Sequence, residues 1–283
     1  MNTKKKQILY KMHAILLCII IISCNQQSSK NKLLILGTVH FPTKEINADS
    51  IYTILEKYNP DIILMEAESS VFNDDYTFRK MYDQNEFNSV KKYLSHHPSV
   101  QIRPIEFEGR NEYRKKLGIF SEAGDVYRKI EDLYQSKKLT NAECKMWDDF
   151  TKLWQKIDSL SNSNLNAINN STSDEIVENA SYYQYIKLKE IIDRRIEFTS
   201  TKIIDSKNDS VSLKEYFAKW SDFENGLRNK KMTENIVNIV QNNSNKKIIV
   251  LTGFKHRYSL LKRFKTNNQS KDILELIELH SVY

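Results

Sequence analysis

Three short runs of unbroken apolar residues constrain this chain more than any other feature: Leu33-Leu34-Ile35-Leu36, Ile62-Ile63-Leu64-Met65 and Ile248-Ile249-Val250-Leu251. A strand with one face in water alternates apolar and polar side chains. An uninterrupted run belongs instead to a strand covered on both faces, as in a parallel sheet held between two helix layers. Between the first two runs, Ile51, Ile54, Leu55 and Tyr58 recur at helical spacing, and Asn59-Pro60 ends that stretch. The opening is therefore a βαβ unit. Val100 to Phe107 reads as a third strand, and Pro104 inside it implies an edge position or a strand end. Further on, the pattern predicts a helix over Asp222 to Asn242, a strand over Lys247 to Thr252, a helix over Arg257 to Phe264 and a last strand over Ile273 to Leu279.

From Asn111 to Trp220 the pattern changes to long, charged, Tyr- and Lys-rich helical segments with no convincing strand. The polar tracts Ser161-Asn162-Ser163-Asn164 and Asn169-Asn170-Ser171-Thr172-Ser173 interrupt it as loops. The expected fold is α/β, with a mainly parallel sheet, flanking helices and a helical insertion. Residues 32–110 and 221–283 form the two parts of the α/β domain, and residues 111–220 form the insertion.

The amino terminus stands apart from the fold. Lys4, Lys5, Lys6 and Lys11 precede an apolar stretch, Met12 to Ile22, which is followed by Ser23-Cys24. A positive segment, an apolar core too short to cross about 30 Å of hydrocarbon, and a small residue before a cysteine together describe a bacterial lipoprotein signal over residues 1–23. Cys24 is then the lipidation candidate and residues 24–31 a polar tether. The expected location is the cell envelope, with the lipid bilayer as a partner through acylated Cys24. The formal net charge of +7 includes those signal lysines, and the other Lys and Arg are interspersed with Asp and Glu. No nucleic-acid partner is expected from such a surface. Of the three cysteines, only Cys144 remains, within the helical pattern, so no disulfide framework is expected.

The chemistry lies where the strands end. Gly37-Thr38-Val39-His40 follows the first apolar run, and Gly253-Phe254-Lys255-His256 follows the run at Lys247 to Thr252. In a chain with six glycines and six histidines, a repeated strand-Gly-x-x-His unit points to a two-histidine site. Parallel sheets collect ligands at the carboxyl ends of their strands. That edge would also gather Glu66, which closes the second strand, and Glu106 and Glu108 at the end of the third. Two imidazoles plus carboxylates make a first-row transition-metal ligand set, compatible with Zn, Mn, Fe or Co. Alone, His40 would read as an ordinary loop histidine, and Glu68 as a charge beside a helix N-terminus. His96-His97 fits helix capping, and His280 the surface. Arg228 shares a helix face with Met232 and Ile236. Either its stem snorkels to solvent, or the cation reaches the carboxylates.

These residues resemble the TraB/GumN and Tiki group, within a broader superfamily that includes erythromycin esterases and ChaN-like haem-binding lipoproteins. The resemblance rests on Leu36 to Pro42, Met65-Glu66, Leu227 to Met232 and Val250 to His256, and leaves the middle of the chain unmatched. It implies a compact α/β fold with the two Gly-x-x-His histidines and the glutamate as active site. The Tiki branch implies a metal-dependent protease, and the esterase branch hydrolysis by histidine-activated water. Phe254-Lys255 departs from the small residues more usual there, and Lys255 would be repelled by a metal unless it points away.

The expectation is a membrane-tethered, metal-dependent hydrolase, peptidase- or esterase-like, acting on a peptide or small-molecule substrate. His40, His256 and Glu66 bind a divalent metal or, without metal, position a water. Glu106 or Glu108 accepts the proton, and Arg228 stabilises the oxyanion. The rival readings are a haem- or ligand-binding lipoprotein and a non-catalytic interaction domain.

Overall fold

The computed structural model describes residues 30–266 and 272–283. The signal over 1–23, the lipidation candidate Cys24 and most of the tether lie outside the described residues. Among the described residues, no helix is long and apolar enough to cross a membrane.

Five parallel strands form the central sheet in the order β3-β2-β6-β1-β7. They are β1 (Asn31–Thr38), β2 (Ile62–Met65), β3 (Gln101–Pro104), β6 (Lys247–Gly253) and β7 (Leu274–Ile277). The three apolar runs are β1, β2 and β6, the three inner strands, and alternation sends their side chains to two separate cores. Leu34, Leu36, Ile63, Met65, Ile249 and Leu251 face one side, with α1 (Ala48–Tyr58) and α2 (Asn85–His96) packed on them. Leu33, Ile35, Ile62, Leu64, Ile248 and Val250 face the other, covered by α11 (Arg228–Gln241) and α12 (Phe254–Thr266). Burial on both faces is the physical reason that no polar residue interrupts the runs.

Local signals act as the sequence suggests at α1. Asn47 and Ser50 form a reciprocal capping box at its start, and Asn59 adopts the left-handed conformation at its end. β3 is an edge strand and stops at Pro104, four residues long where the pattern predicted more. Proline has no N–H for the ladder. Ile105 still donates to the Met65 carbonyl, but Glu106 and Glu108 lie in the loop beyond.

Between β3 and β6 the chain is helical except for one feature that the sequence pattern missed. Strands β4 (Lys202–Ile204) and β5 (Ser210–Ser212) form a short antiparallel ribbon, three residues each. Strands so short carry too little periodicity to separate from loop. The helices here are α3 (Arg110–Leu117), α4 (Gly124–Gln135), α5 (Asn141–Ser161), α6 (Leu165–Ile168), α7 (Ser171–Tyr182), α8 (Leu188–Arg194), α9 (Ile196–Ser200) and α10 (Leu213–Ser221). Apolar residues of α4, α5, α8, α9 and α10, with Ile119 and Phe223, build a third core that contains no residue of the sheet, while Leu165 and Ile168 of α6 and Val177 and Ala180 of α7 join the core on the α1–α2 face of the sheet. The predicted helix over Asp222 to Asn242 is divided: Asp222–Leu227 is a π-helical turn, and α11 starts only at Arg228. Such widened turns occur often at functional sites. Here it delivers Glu224, Arg228 and Asn229 to the carboxyl edge of the sheet.

Candidate active site

β1 and β6 are neighbours in register, with Gly37 opposite Thr252 and Thr38 opposite Gly253. Strands pair at about 4.8 Å, so the two Gly-x-x-His units leave the sheet side by side. A Cβ placed on Gly253 would lie 3.5 Å from His40 Nε2, 3.7 Å from Glu66 Oε2 and 3.7 Å from His256 Cδ2. Both histidines and the glutamate thus surround one point. Neither motif glycine has a positive φ, so left-handed geometry is not their purpose. Gly37 permits close approach, since a Cβ there would sit 2.8 Å from the Phe254 Cα.

Arg228 organises the centre. Its Nη2 donates to Glu66 Oε1 at 2.7 Å and to Glu106 Oε2 at 2.5 Å, and its Nε donates to Glu106 Oε1 at 3.1 Å. Its side chain is 9% exposed, so the snorkelling alternative is set aside: the cation is buried between carboxylates. Nη1 lies 3.1 Å from His256 Nε2, while His256 Nδ1 lies 2.8 Å from Asn229 Oδ1. A guanidinium can only donate. His256 must therefore accept at Nε2 and carry its proton on Nδ1. Burial pushes its pKa down to about 4, with Arg228 adding to the effect against the opposing pull of Glu66. This ring is neutral at physiological pH.

His40 is the opposite case. Its Nδ1 is 3.0 Å from Glu86 Oε1, and its side chain is 43% exposed. The hydrogen bond to Glu86 raises its pKa above the ordinary histidine value, against the partial burial of the ring. Glu86 is itself buried, accepts from the Thr38 hydroxyl, and leaves Oε2 without a partner. With Nδ1–H directed at Glu86, the lone pair of Nε2 faces the centre of the site. Sequence reasoning missed Glu86. An acid in the first turn of a helix, as in α2, is adequately explained by the helix dipole, and only the fold brings it to His40.

The two oxygens of Glu66 are committed. Oε2 accepts from the Thr252 hydroxyl at 2.7 Å and from Gly253 N–H at 2.8 Å, and Oε1 takes Arg228. Burial works to raise its pKa, but the positive neighbours, His256 and Arg228 foremost, outweigh it and hold the carboxyl well below its usual range. Since His256 is neutral above about pH 4, Arg228 is the permanent cation that acts on Glu66 near neutrality, and His40 adds to it when protonated. Glu106 is equally committed, with Arg110 Nη1 at 2.7 Å on Oε2 and its own Phe107 N–H on Oε1. Glu108 is not at the site: it binds Ser69 through Oε2 to the amide at 3.0 Å and Oε1 to the hydroxyl at 2.8 Å. Lys255 does point away from the carboxylates, with its ammonium 5.1 Å from the centre of the Trp154 ring. His96 and His97 sit at the end of α2, bonded to the Lys92 carbonyl and Glu56.

A metal held by His40, His256 and Glu66 would need the lone pair of His256 Nε2 and an oxygen of Glu66. Arg228 already donates to both. As arranged, this set suits a guanidinium better than a second cation, and no trio of His, Cys, Asp or Glu among the described residues is placed to hold a metal ion.

Two cavities flank the Arg228 cluster. One, of about 440 Å³, is lined by His40, Glu66, Glu106 and Arg110 with Tyr82 and Phe87. The other, of about 260 Å³, is lined by His256, Arg228 and Asn229 together with Trp154, Tyr185 and Tyr258.

No protein-family model matches the chain, and no curated protein matches it. Among solved structures, the chain is similar to an erythromycin esterase mutant in its open conformation, at 14% identity over 81% of this chain, with a TM-score of 0.27. The chain spans 61% of that protein's length.

Proposed function

We propose that this protein is a hydrolase in which His40 activates a water molecule. The observation that carries this reading is the Glu86–His40 pair, which fixes the tautomer and leaves Nε2 as an accessible base on a cleft of about 440 Å³. The water oxygen bonds to the substrate's carbonyl carbon while its proton passes to His40 Nε2. Glu86 stabilises the imidazolium that forms, and His40 then returns the proton to the leaving oxygen or nitrogen as the carbonyl–leaving-group bond breaks. Arg228, held by Glu66 and Glu106, supplies a fixed positive charge beside the developing oxyanion. Its value lies in needing no reorganisation. Glu66 and Glu106 act as its anchors, since every oxygen they offer already accepts a hydrogen bond.

Esters and peptides are the substrate classes to screen, in keeping with the motif-based resemblance to TraB/GumN, Tiki and erythromycin esterase proteins. A membrane-tethered form, acylated at Cys24, remains part of the proposal. The metal-dependent form is the second reading, favoured by the convergence of His40, Glu66 and His256 on one point; it requires Arg228 to withdraw first. Screening purified protein with and without chelator, beside His40→Ala, separates the readings. Chelator-insensitive hydrolysis that His40→Ala abolishes supports the first. Activity lost on chelation and restored by a divalent ion supports the second. Equal activity in His40→Ala would remove both.

A further inference from the structure

A guanidinium carries five N–H groups, and Arg228 uses four of them. Its Nε–H and both Nη2 hydrogens go to Glu106 and Glu66, and one Nη1 hydrogen goes to His256 Nε2 at 3.1 Å. The second Nη1 hydrogen has no acceptor among the described residues. Glu224 Oε2 stands 3.6 Å from Nη1, an ion pair too long for a hydrogen bond. Glu224 is itself held by Arg114 through Oε1 at 2.9 and 2.5 Å, and Arg110 offsets Glu106 at 2.7 Å. The carboxylates of Glu66, Glu106 and Glu224 are thus matched by three guanidiniums. The open N–H lies on the His256 side of Arg228, where Arg228, Asn229 and His256 line the smaller cavity.

Which hydrogen stays free depends on the His256 ring, and two consecutive residues of α11 grip that ring. Neighbouring side chains on a helix diverge by about 100°, so Arg228 and Asn229 can meet its two nitrogens, Nε2 and Nδ1. Asn229 is buried, and a separate contact orients its amide. Nδ2 donates to the Glu224 carbonyl at 3.4 Å, in the π-helical turn, so Oδ1 is the atom that faces His256 Nδ1 at 2.8 Å. A reversed amide would set two acceptors together at Glu224 and two donors together at Nε2 and Nη1. We infer that Asn229 is a positioning residue for Arg228. By accepting from Nδ1–H it holds His256 in the tautomer whose Nε2 takes one Nη1 hydrogen, which leaves the other as the donor to the substrate's carbonyl oxygen. With the proton on Nε2 instead, the ring would oppose Nη1 and turn the guanidinium off its line. The role in turnover rests on the hydrolase reading; the tautomer does not.

Long-range nitrogen–proton correlation spectra of the imidazole rings, recorded on the whole protein near neutral pH without substrate, show which ring nitrogen carries the proton. In wild type His256 is protonated at Nδ1 alone. Asn229→Leu keeps the side-chain size and removes the acceptor, and the Nε2–H form appears. Asn229→Asp keeps an oxygen at the same place, and Nδ1 stays protonated. With 4-nitrophenyl acetate as probe, Asn229→Leu lowers kcat by about tenfold while KM stays within about twofold. A residue that only supported the fold would lower the amount of folded protein and leave the tautomer as it is. His40→Ala leaves the His256 tautomer unchanged, so an absence of hydrolysis fails the hydrolase reading while the spectra still decide this one. An Nε2–H ring in wild type or in Asn229→Asp, a ring still wholly Nδ1–H in Asn229→Leu, or an unchanged kcat in Asn229→Leu despite a changed tautomer would overturn the assignment. Wild type and Asn229→Asp carry the test if Asn229→Leu does not fold.

Discussion

Arg228 Nη1 lies 3.1 Å from Nε2 of His256, and that contact decides which of the two motif histidines can act as a base. A lone pair that accepts from a guanidinium is not available to a water proton. His40 has the complementary arrangement, with its Nδ1 on a carboxylate and Nε2 open to a cleft. Two residues that look equivalent in the repeated motif therefore have different tasks.

The first prediction concerns pH. A base works when deprotonated, so hydrolysis declines as pH falls through the His40 pKa, which Glu86 has raised above the histidine norm. Glu86→Gln removes the main cause of that rise. The acidic limb of the rate profile shifts to lower pH, and kcat falls by about 10²-fold as the imidazolium loses its support. A merely structural Glu86 would lower the amount of folded enzyme without moving the limb, so the pH dependence of kcat across pH 5–9, with the folded fraction counted by circular dichroism, separates the two.

The second prediction is a stability effect of the opposite sign at His256. Its folded pKa, about 4, lies below the unfolded value of 6.5. Between those values the unfolded chain binds more protons, so stability rises with pH across that window and falls as the pH drops through it. The difference corresponds to about 3 kcal/mol, fully present above pH 6.5. His256→Gln should flatten this dependence in urea titrations between pH 4 and 7. His40 contributes in the other direction, since a raised pKa adds stability at low pH that is lost as pH climbs through it. Unchanged pH dependence in His256→Gln would contradict the buried neutral ring.

A third prediction addresses the buried cation. Arg228→Met keeps much of the side-chain volume but strands Glu66 and Glu106, both nearly inaccessible, without their shared counter-charge. The expected loss is about 3–5 kcal/mol at pH 7. Protonation relieves stranded carboxylates, so the deficit shrinks as pH falls toward 4. Adding Glu66→Gln to Arg228→Met recovers part of the loss, and a double-mutant cycle from denaturation midpoints measures how much.

Much of this architecture was legible because the sheet is buried on both faces. Burial forced Leu33 to Leu36, Ile62 to Met65 and Ile248 to Leu251 to be apolar without interruption, and the parallel arrangement then sent His40, Glu66 and His256 to one edge. Arg228 was legible as a cation on an apolar helix stripe, which demands partners. Glu86 and Asn229 were not, because their roles come from contacts between elements distant in sequence: Glu86 is 46 residues from His40, and each makes local sense as an ordinary helix residue. Glu106 and Glu108 show the same limit. One residue lies between them in sequence, yet a loop after an edge strand has no fixed side-chain period, and only Glu106 turns inward to Arg228. The β4–β5 ribbon escaped for want of length.

The last prediction separates the two motif glycines, which the sequence presents as equivalent. A methyl at position 37 would meet the Phe254 backbone at 2.8 Å and the Asn169 side-chain oxygen at 3.2 Å. Backbone cannot yield as a flexible side chain does. Gly37→Ala should therefore cost about 1–3 kcal/mol, read as a lowered Tm, as β1 and α12 are forced apart. At position 253 the nearest atoms are 3.5 Å or more away, ordinary contact distance, so Gly253→Ala should fold with a Tm close to wild type. Its methyl, however, would project into the space between His40 Nε2, Glu66 and His256, where the attacking water and carbonyl must meet. Activity should fall by at least about tenfold, because displacing the reacting atoms by a fraction of an ångström is enough to spoil their alignment. The contrast is the test: if Gly253→Ala hydrolyses substrate as wild type does, the reacting centre does not lie between the two motifs.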